Sequence, residues 1–207
     1  MASQTVQCAS NMRQISLAMK MYANDSKGKY PIWNTYAPPA GWPLIDIHWD
    51  DLLIVNGYIN NSRILQCPVA KDIQVQYFYD FQGKQVLYIS WRHYGIDIYG
   101  VGGMNYPANN YWWQGGVTKY VSDAQINDAS EKVAVGESDG LQINSNTYIA
   151  SGDNWPSAQG IPATWHNGGG NYLFMDGHVS YKKFADICWV NNPRTYAMWY
   201  YPIPKTP

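Results

Sequence analysis

Apolar residues recur at Cys8, Met12, Ile15, Met19 and Tyr22, at spacings of 4, 3, 4 and 3, while Arg13, Gln14, Ser16 and Lys20 occupy the other faces. That period predicts an amphipathic helix from about Ser3 to Ser26 with one narrow apolar stripe, suited to packing on a sheet. Asn24-Asp25-Ser26-Lys27-Gly28 stops it, and Pro31 keeps it from resuming. A short helix is predicted at Trp49–Val55, ending at Gly57. Alternation then takes over. Val75, Tyr77 and Tyr79 share a face, Gln82-Gly83 turns the chain, and Val86, Tyr88 and Ser90 return, which predicts a hairpin. Lys132-Val133-Ala134-Val135-Gly136 reads as a short buried strand. The clearest strand signal runs from Asn171 to Tyr181, with Asp176-Gly177 between alternating apolar positions. A two-residue turn with both central residues at positive φ sets Met175 opposite His178, Phe174 opposite Val179 and Tyr172 opposite Tyr181. One helix followed by hairpins, with no internal repeat, predicts a single α+β domain over residues 1–207.

The segments between these elements are long and aromatic. Ten Trp and eighteen Tyr accompany only four Phe. Trp and Tyr carry a polar handle, so the excess suits a loop-rich core, half-exposed interfaces or sugar-stacking faces. Trp112, Trp113, Trp155 and Trp165 lie in loops among Gly, Asn and Asp residues and are the candidates for glycan binding. Net charge is −1 and only 14% of residues are charged, so no basic face draws nucleic acid or anionic lipid. No apolar run approaches the roughly 18–20 residues that span a bilayer, and the chain enters its helical pattern without a signal-peptide pattern. Its three cysteines, Cys8, Cys67 and Cys188, form no C-x-x-C pair. An odd count permits at most one internal disulfide, which fits an exported protein.

Catalytic signatures are weak. No G-x-S-x-G elbow surrounds a serine, and Gly100, Gly102 and Gly103 fail the phosphate-loop pattern at Tyr106. Asp50, Glu137 and Asp176 have no spacing that argues for a carboxylate pair. The expectation is a protein that is not an enzyme. His166, Asp176 and His178, with Glu137 added, make a candidate metal set of mixed nitrogen and oxygen donors. The simpler role is structural: Asp176 serves the turn, and His166 hydrogen-bonds the turn backbone or the Asp176 carboxylate.

His166 is followed by nine residues and then Asp176-Gly177. Three further segments accompany this spacing in order: Cys8-Ala9-Ser10-Asn11-Met12-Arg13-Gln14-Ile15 through Asp25, Leu65-Gln66-Cys67-Pro68, and Asn127 to Glu137. Together they resemble the bacterial prepilin-type, pseudopilin-like proteins that carry a processing-associated H-x9-DG motif. The resemblance implies a type IV pilin-like fold. Residues 1–27 would be the C-terminal half of the pilin helix, packed on an antiparallel sheet, and residues 28–207 the sheet and its long aromatic-rich loops. It implies a non-catalytic structural subunit of a type II secretion or type IV pilus-like assembly. Family members begin with a prepilin leader, a cleavage site and about twenty apolar residues. That part does not precede Met1 here, and the expectation is that it has been cut away. Contact with other pilin-like subunits and with the inner membrane would run through that missing helix. The head would face the periplasm or the cell surface and be monomeric alone.

By family analogy, Asp139, Asp153 and Asn154 become candidates for Ca²⁺; otherwise no cofactor is expected. The implied fold puts Cys8 on the core-facing stripe and Cys67 where the chain returns toward it. A Cys8–Cys67 bridge is the pairing this suggests, although two separate buried thiols are the simpler expectation. The alternative function is a surface-displayed glycan- or protein-binding module that offers its Trp- and Tyr-rich loops to a polysaccharide or a secreted partner.

Overall fold

A computed structural model describes residues 2–32, 34–35, 47–70, 77–81, 84–88, 93–97, 120–138, 142–143 and 165–187. Helix α1 spans Ala2–Asp25. Its stripe goes inward as the period requires: Cys8, Met12, Ile15 and Met19 are buried, and Tyr22 is half-buried. Val6, Leu17 and Met21 face solvent on the other side. At the C-terminus Lys27 and Gly28 both adopt positive φ, and the Gly28 N–H donates to the Ala23 carbonyl at 2.7 Å. This left-handed cap satisfies a carbonyl that the helix itself cannot. Tyr30 then ties the exit to residues 121–123: its N–H donates to the Val121 carbonyl, and its hydroxyl to Asp123 Oδ1 at 2.6 Å.

Two small sheets precede the main one. Strands β1 (Asn34–Thr35) and β2 (Ile47–His48) pair antiparallel, and helix α2 (Trp49–Val55) follows directly. The predicted hairpin forms as β3 (Tyr77–Phe81) and β4 (Lys84–Tyr88), paired antiparallel with Phe81 opposite Lys84, while Val75, Gln82, Gly83 and Ser90 lie outside the described residues. It stays a separate two-stranded sheet.

The main sheet contains β5 (Tyr94–Asp97), β6 (Val133–Glu137), β7 (Gln142–Ile143), β8 (Gly169–Phe174) and β9 (Val179–Lys183), in the order β7-β5-β6-β8-β9. β5, β6, β8 and β9 run antiparallel, and β7 joins the β5 edge in parallel. An N-terminal helix on an antiparallel sheet makes the chain α+β. One sheet face meets α1 and α2 through Ile96, Val135, Leu173 and Met175, in one core with Trp49 and Leu53. Alternation sends Tyr172 and Phe174 to the opposite face. There they pack with Val133 and with Ile187 of helix α3 (Phe184–Ile187). With both faces covered, all five residues of β6 are buried.

The β8–β9 turn differs from its expected form. Leu173 lies opposite Val179, Tyr172 opposite Ser180 and Asn171 opposite Tyr181, one residue away from the two-residue register. The Gly177 N–H donates to the Phe174 carbonyl, the Phe174 N–H to the His178 carbonyl, and only Gly177 in the turn has positive φ. This is a three-residue loop, Met175-Asp176-Gly177, with glycine in the left-handed position. Neighbouring backbone selects it. The Met175 N–H donates to the Lys132 carbonyl and the Asp176 N–H to the Ala129 carbonyl. The tip also rests on α1, where Lys20 Nζ donates to the Asp176 carbonyl at 2.8 Å.

Candidate functional site

Cys8 and Cys67 are joined by a disulfide with a Cα–Cα separation of 5.3 Å. The pairing suggested by the implied fold is therefore the one formed, in place of two separate buried thiols. Packing prepares it. One turn beyond Cys8, Asn11 Nδ2 donates to the Gln66 carbonyl at 3.0 Å. Gln66 ends a 3-10 turn over Ser62–Leu65, which begins at Asn61, whose side chain accepts from the Arg63 N–H. Together these hold Cys67 against the helix. The Cys67 N–H donates to His93 Nδ1 at 3.0 Å. Burial lowers the His93 pKa to about 4, so at neutral pH the ring is uncharged and can accept at Nδ1. Trp165 packs edge-on to His93, with ring centroids 5.4 Å apart.

Two more chemistry-bearing residues converge on the bridge. Glu137 is the last residue of β6 and is fully buried. His166 lies in the turn before β8, where Asn167 and Gly168 take positive φ and the Tyr181 hydroxyl donates to the His166 carbonyl at 2.8 Å. His166 Nε2 meets Glu137 Oε1 at 3.0 Å. Cys67 Sγ is 3.4 Å from His166 Nε2 and 3.8 Å from Glu137 Oε1. The four residues are all buried, and their donor atoms lie within 4.8 Å of one another. Thiol, imidazole and carboxylate groups at that separation could hold a metal ion.

A second layer of polar contacts orients these groups. The Asn171 N–H donates to Glu137 Oε2 at 2.9 Å, and Asn171 Nδ2 donates to Oε1 at 3.0 Å. Thr5 Oγ1 lies 3.0 Å from His166 Nδ1. A carboxylate only accepts, so in the bridged form the His166 ring proton belongs on Nε2 and the Thr5 hydroxyl donates to Nδ1. A buried carboxylate needs such partners, because leaving it unpaired costs several kcal/mol in order of magnitude.

The motif residues therefore separate into two places. His166 and Glu137 join the cysteines inside. Asp176 and His178 pair with each other at the exposed turn, Nδ1 to Oδ1 at 2.7 Å. The expected set of His166, Asp176, His178 and Glu137 does not assemble, and His166 does not reach for the Asp176 carboxylate. Asp176 Oδ1 also accepts from the His178 N–H. Partial burial pushes the Asp176 carboxyl up, but His178 and Lys20 outweigh it and hold it below its ordinary value. Gly177 closes the turn at positive φ, with Ser16 Oγ and Lys20 Nζ 3.2 Å from where a Cβ would stand.

Trp165 is half-buried against the core, its ring committed to His93. Trp112, Trp113, Trp155, Asp139, Asp153, Asn154 and Cys188 lie outside the described residues. Sequence reasoning missed Thr5, His93 and Asn171. Asn171 carried a usable signal: it shares its strand face with Leu173 and Met175, and a polar residue on an apolar face calls for a buried partner. Thr5 sits one turn before Cys8 on the same helix face, a spacing that becomes informative only once the bridge is known. Against protein-family models, curated proteins and solved structures, the chain has no match.

Proposed function

We propose that this chain is the head of a pilin-like, non-catalytic structural subunit of a type II secretion or type IV pilus-like assembly. The observation that carries the reading is α1: one face lies on an antiparallel sheet and is bonded to the head through Cys8–Cys67, while Val6, Leu17 and Met21 stay exposed on the other. A helix that must present an outer face to neighbouring subunits, yet not detach from its head under load, needs both features. The disulfide also suits an oxidising compartment, in line with a periplasmic or surface location. In this reading α1 is the C-terminal half of a longer helix. Its apolar half would anchor the subunit in the inner membrane and pack with other subunits; no helix among the described residues is itself long and apolar enough to cross a membrane.

The test is to read the genomic sequence ahead of the codon for Met1. A prepilin cleavage motif followed by about twenty apolar residues in frame with α1 supports the proposal. An ordinary cleavable signal peptide, or a stop codon directly upstream, overturns it.

A further inference from the structure

We infer that the Cys8–Cys67 bridge and a zinc ion are alternative occupants of one site: when the bridge is reduced, Cys8, Cys67, Glu137 and His166 bind a single Zn²⁺. Tetrahedral zinc with bonds of about 2.0–2.3 Å sets its ligands about 3.3–3.8 Å apart. The three separations across the cluster are 3.0, 3.4 and 3.8 Å, for His166–Glu137, Cys67–His166 and Cys67–Glu137 respectively. Three of the four ligand atoms thus stand within a few tenths of an ångström of a zinc tetrahedron's edges. Opening the S–S bond frees Cys8 Sγ, from the adjoining helix, as the fourth. Two thiolates, one imidazole and one carboxylate suit zinc, a borderline-soft cation, and not Ca²⁺, which takes six to eight oxygen ligands.

The surrounding contacts serve either occupant. Zinc requires the lone pair of His166 Nε2, so the ring proton must move to Nδ1. There it meets Thr5 Oγ1, a hydroxyl that can accept as well as donate. The tautomer changes without losing a hydrogen bond. Glu137 Oε2 stays anchored by the Asn171 N–H while Oε1 turns to the ion. These are the outer contacts that orient ligands in built zinc sites.

The exchange balances. A dithiol reductant transfers two electrons and two protons to the Cys8–Cys67 bond and closes to its own disulfide. Zinc then displaces both thiol protons. Reoxidation by a disulfide takes two electrons from the thiolates, re-forms the bond and releases the ion.

The experiment uses the full chain carrying Cys188→Ser, so that only Cys8 and Cys67 can supply thiolate. One half is reduced with a phosphine, which becomes the phosphine oxide as water supplies the oxygen and the thiol protons; the other half stays bridged. Each is titrated anaerobically with Zn²⁺ and, separately, with Co²⁺. The expected result is one zinc per reduced chain and none per bridged chain. Cobalt should give thiolate charge-transfer absorption and the intense visible bands of a tetrahedral ion. Thr5→Val should weaken zinc binding about 10- to 100-fold with the cobalt spectrum retained. His166→Gln should change that spectrum. Circular dichroism before and after metal addition reports folding. The inference is overturned if the reduced chain binds no zinc, if it stays unfolded with zinc present, if bridged and reduced chains bind alike, or if His166→Gln leaves the cobalt bands unchanged. None of these outcomes bears on whether the head belongs to a filament.

Discussion

Glu137 and His166, separated by 29 positions in the chain, meet at 3.0 Å beside the Cys8–Cys67 bridge, with no more than 3% of either side chain exposed. Because the pair is desolvated, its partners matter far more than those of a surface pair. A double-mutant cycle between His166→Ala and Glu137→Ala should give a coupling of roughly 1–3 kcal/mol in denaturant unfolding. The same cycle between His166→Ala and Asp176→Ala should be additive to within about 0.5 kcal/mol. Equal couplings would restore the His166–Asp176 contact expected from the motif.

Glu137→Gln keeps the shape but replaces one acceptor oxygen with a donor. Asn171 already aims its N–H and its Nδ2 at the two carboxylate oxygens. One donor must then face another, at an expected cost of about 1–3 kcal/mol. A change below about 0.5 kcal/mol in the unfolding free energy would count against the two Asn171 hydrogen bonds to this side chain.

The bridge joins residues with a sequence separation of 59. Closing a loop of that size removes unfolded-state entropy worth roughly 4 kcal/mol in the chain-entropy account. The Cys8→Ala/Cys67→Ala double variant should therefore lose about 2–5 kcal/mol. Urea unfolding measured with and without a reductant checks this, since the reductant should destabilise the parent chain and leave the variant unmoved.

Strand spacing places a demand on Gly169. A Cβ there would run into the Lys182 carbonyl oxygen and stand 2.7 Å from the Tyr181 hydroxyl that holds the His166 turn. Gly169→Ala should cost at least 1–3 kcal/mol, the typical order for overpacking. It should also speed hydrogen exchange of the β8–β9 amides, and unchanged protection in that hairpin would count against the packing described.

His93 gives the bridged, metal-free chain a pH response. Its folded pKa of about 4 lies below the ordinary value of 6.5, because burial disfavours the charged ring. Between those values the unfolded chain binds more protons than the folded one, so stability rises with pH across that window. The contribution is complete above pH 6.5 or so, is lost as pH falls toward about 4, and levels off below. Its full size is on the order of 3 kcal/mol. Urea midpoints at intervals across this range should show the slope, and His93→Asn should flatten it. A parent chain with no slope would place His93 in water.

Much of the secondary structure was legible because its signals are local. The 4-3-4-3 stripe of α1 placed Cys8, Met12, Ile15 and Met19 in the core, since a helix turns through 3.6 residues whatever it packs against. Trp49–Val55, the β3–β4 hairpin and the β6 strand followed from equally local patterns. The turn after β8 was legible in place but not in register. Asp176-Gly177 marked where the chain reverses, yet the choice between two- and three-residue loops fell to the carbonyls of Ala129 and Lys132, which lie more than forty positions away.

The amino-acid sequence by itself determined the α+β character, the buried face of α1 and the residue types available for chemistry. It also narrowed any internal disulfide to one among three cysteines. Only the tertiary structure decided which of those residues meet. The order β5-β6-β8 sets the end of β6 beside the turn before β8, so Glu137 becomes the partner of His166 and Asp176 does not. The same packing lays α1 against the segment after Leu65, which brings Cys8 to Cys67. Period and propensity act over a few residues, whereas a four-donor cluster drawn from a helix, a loop, a strand end and a turn exists only after the elements have packed.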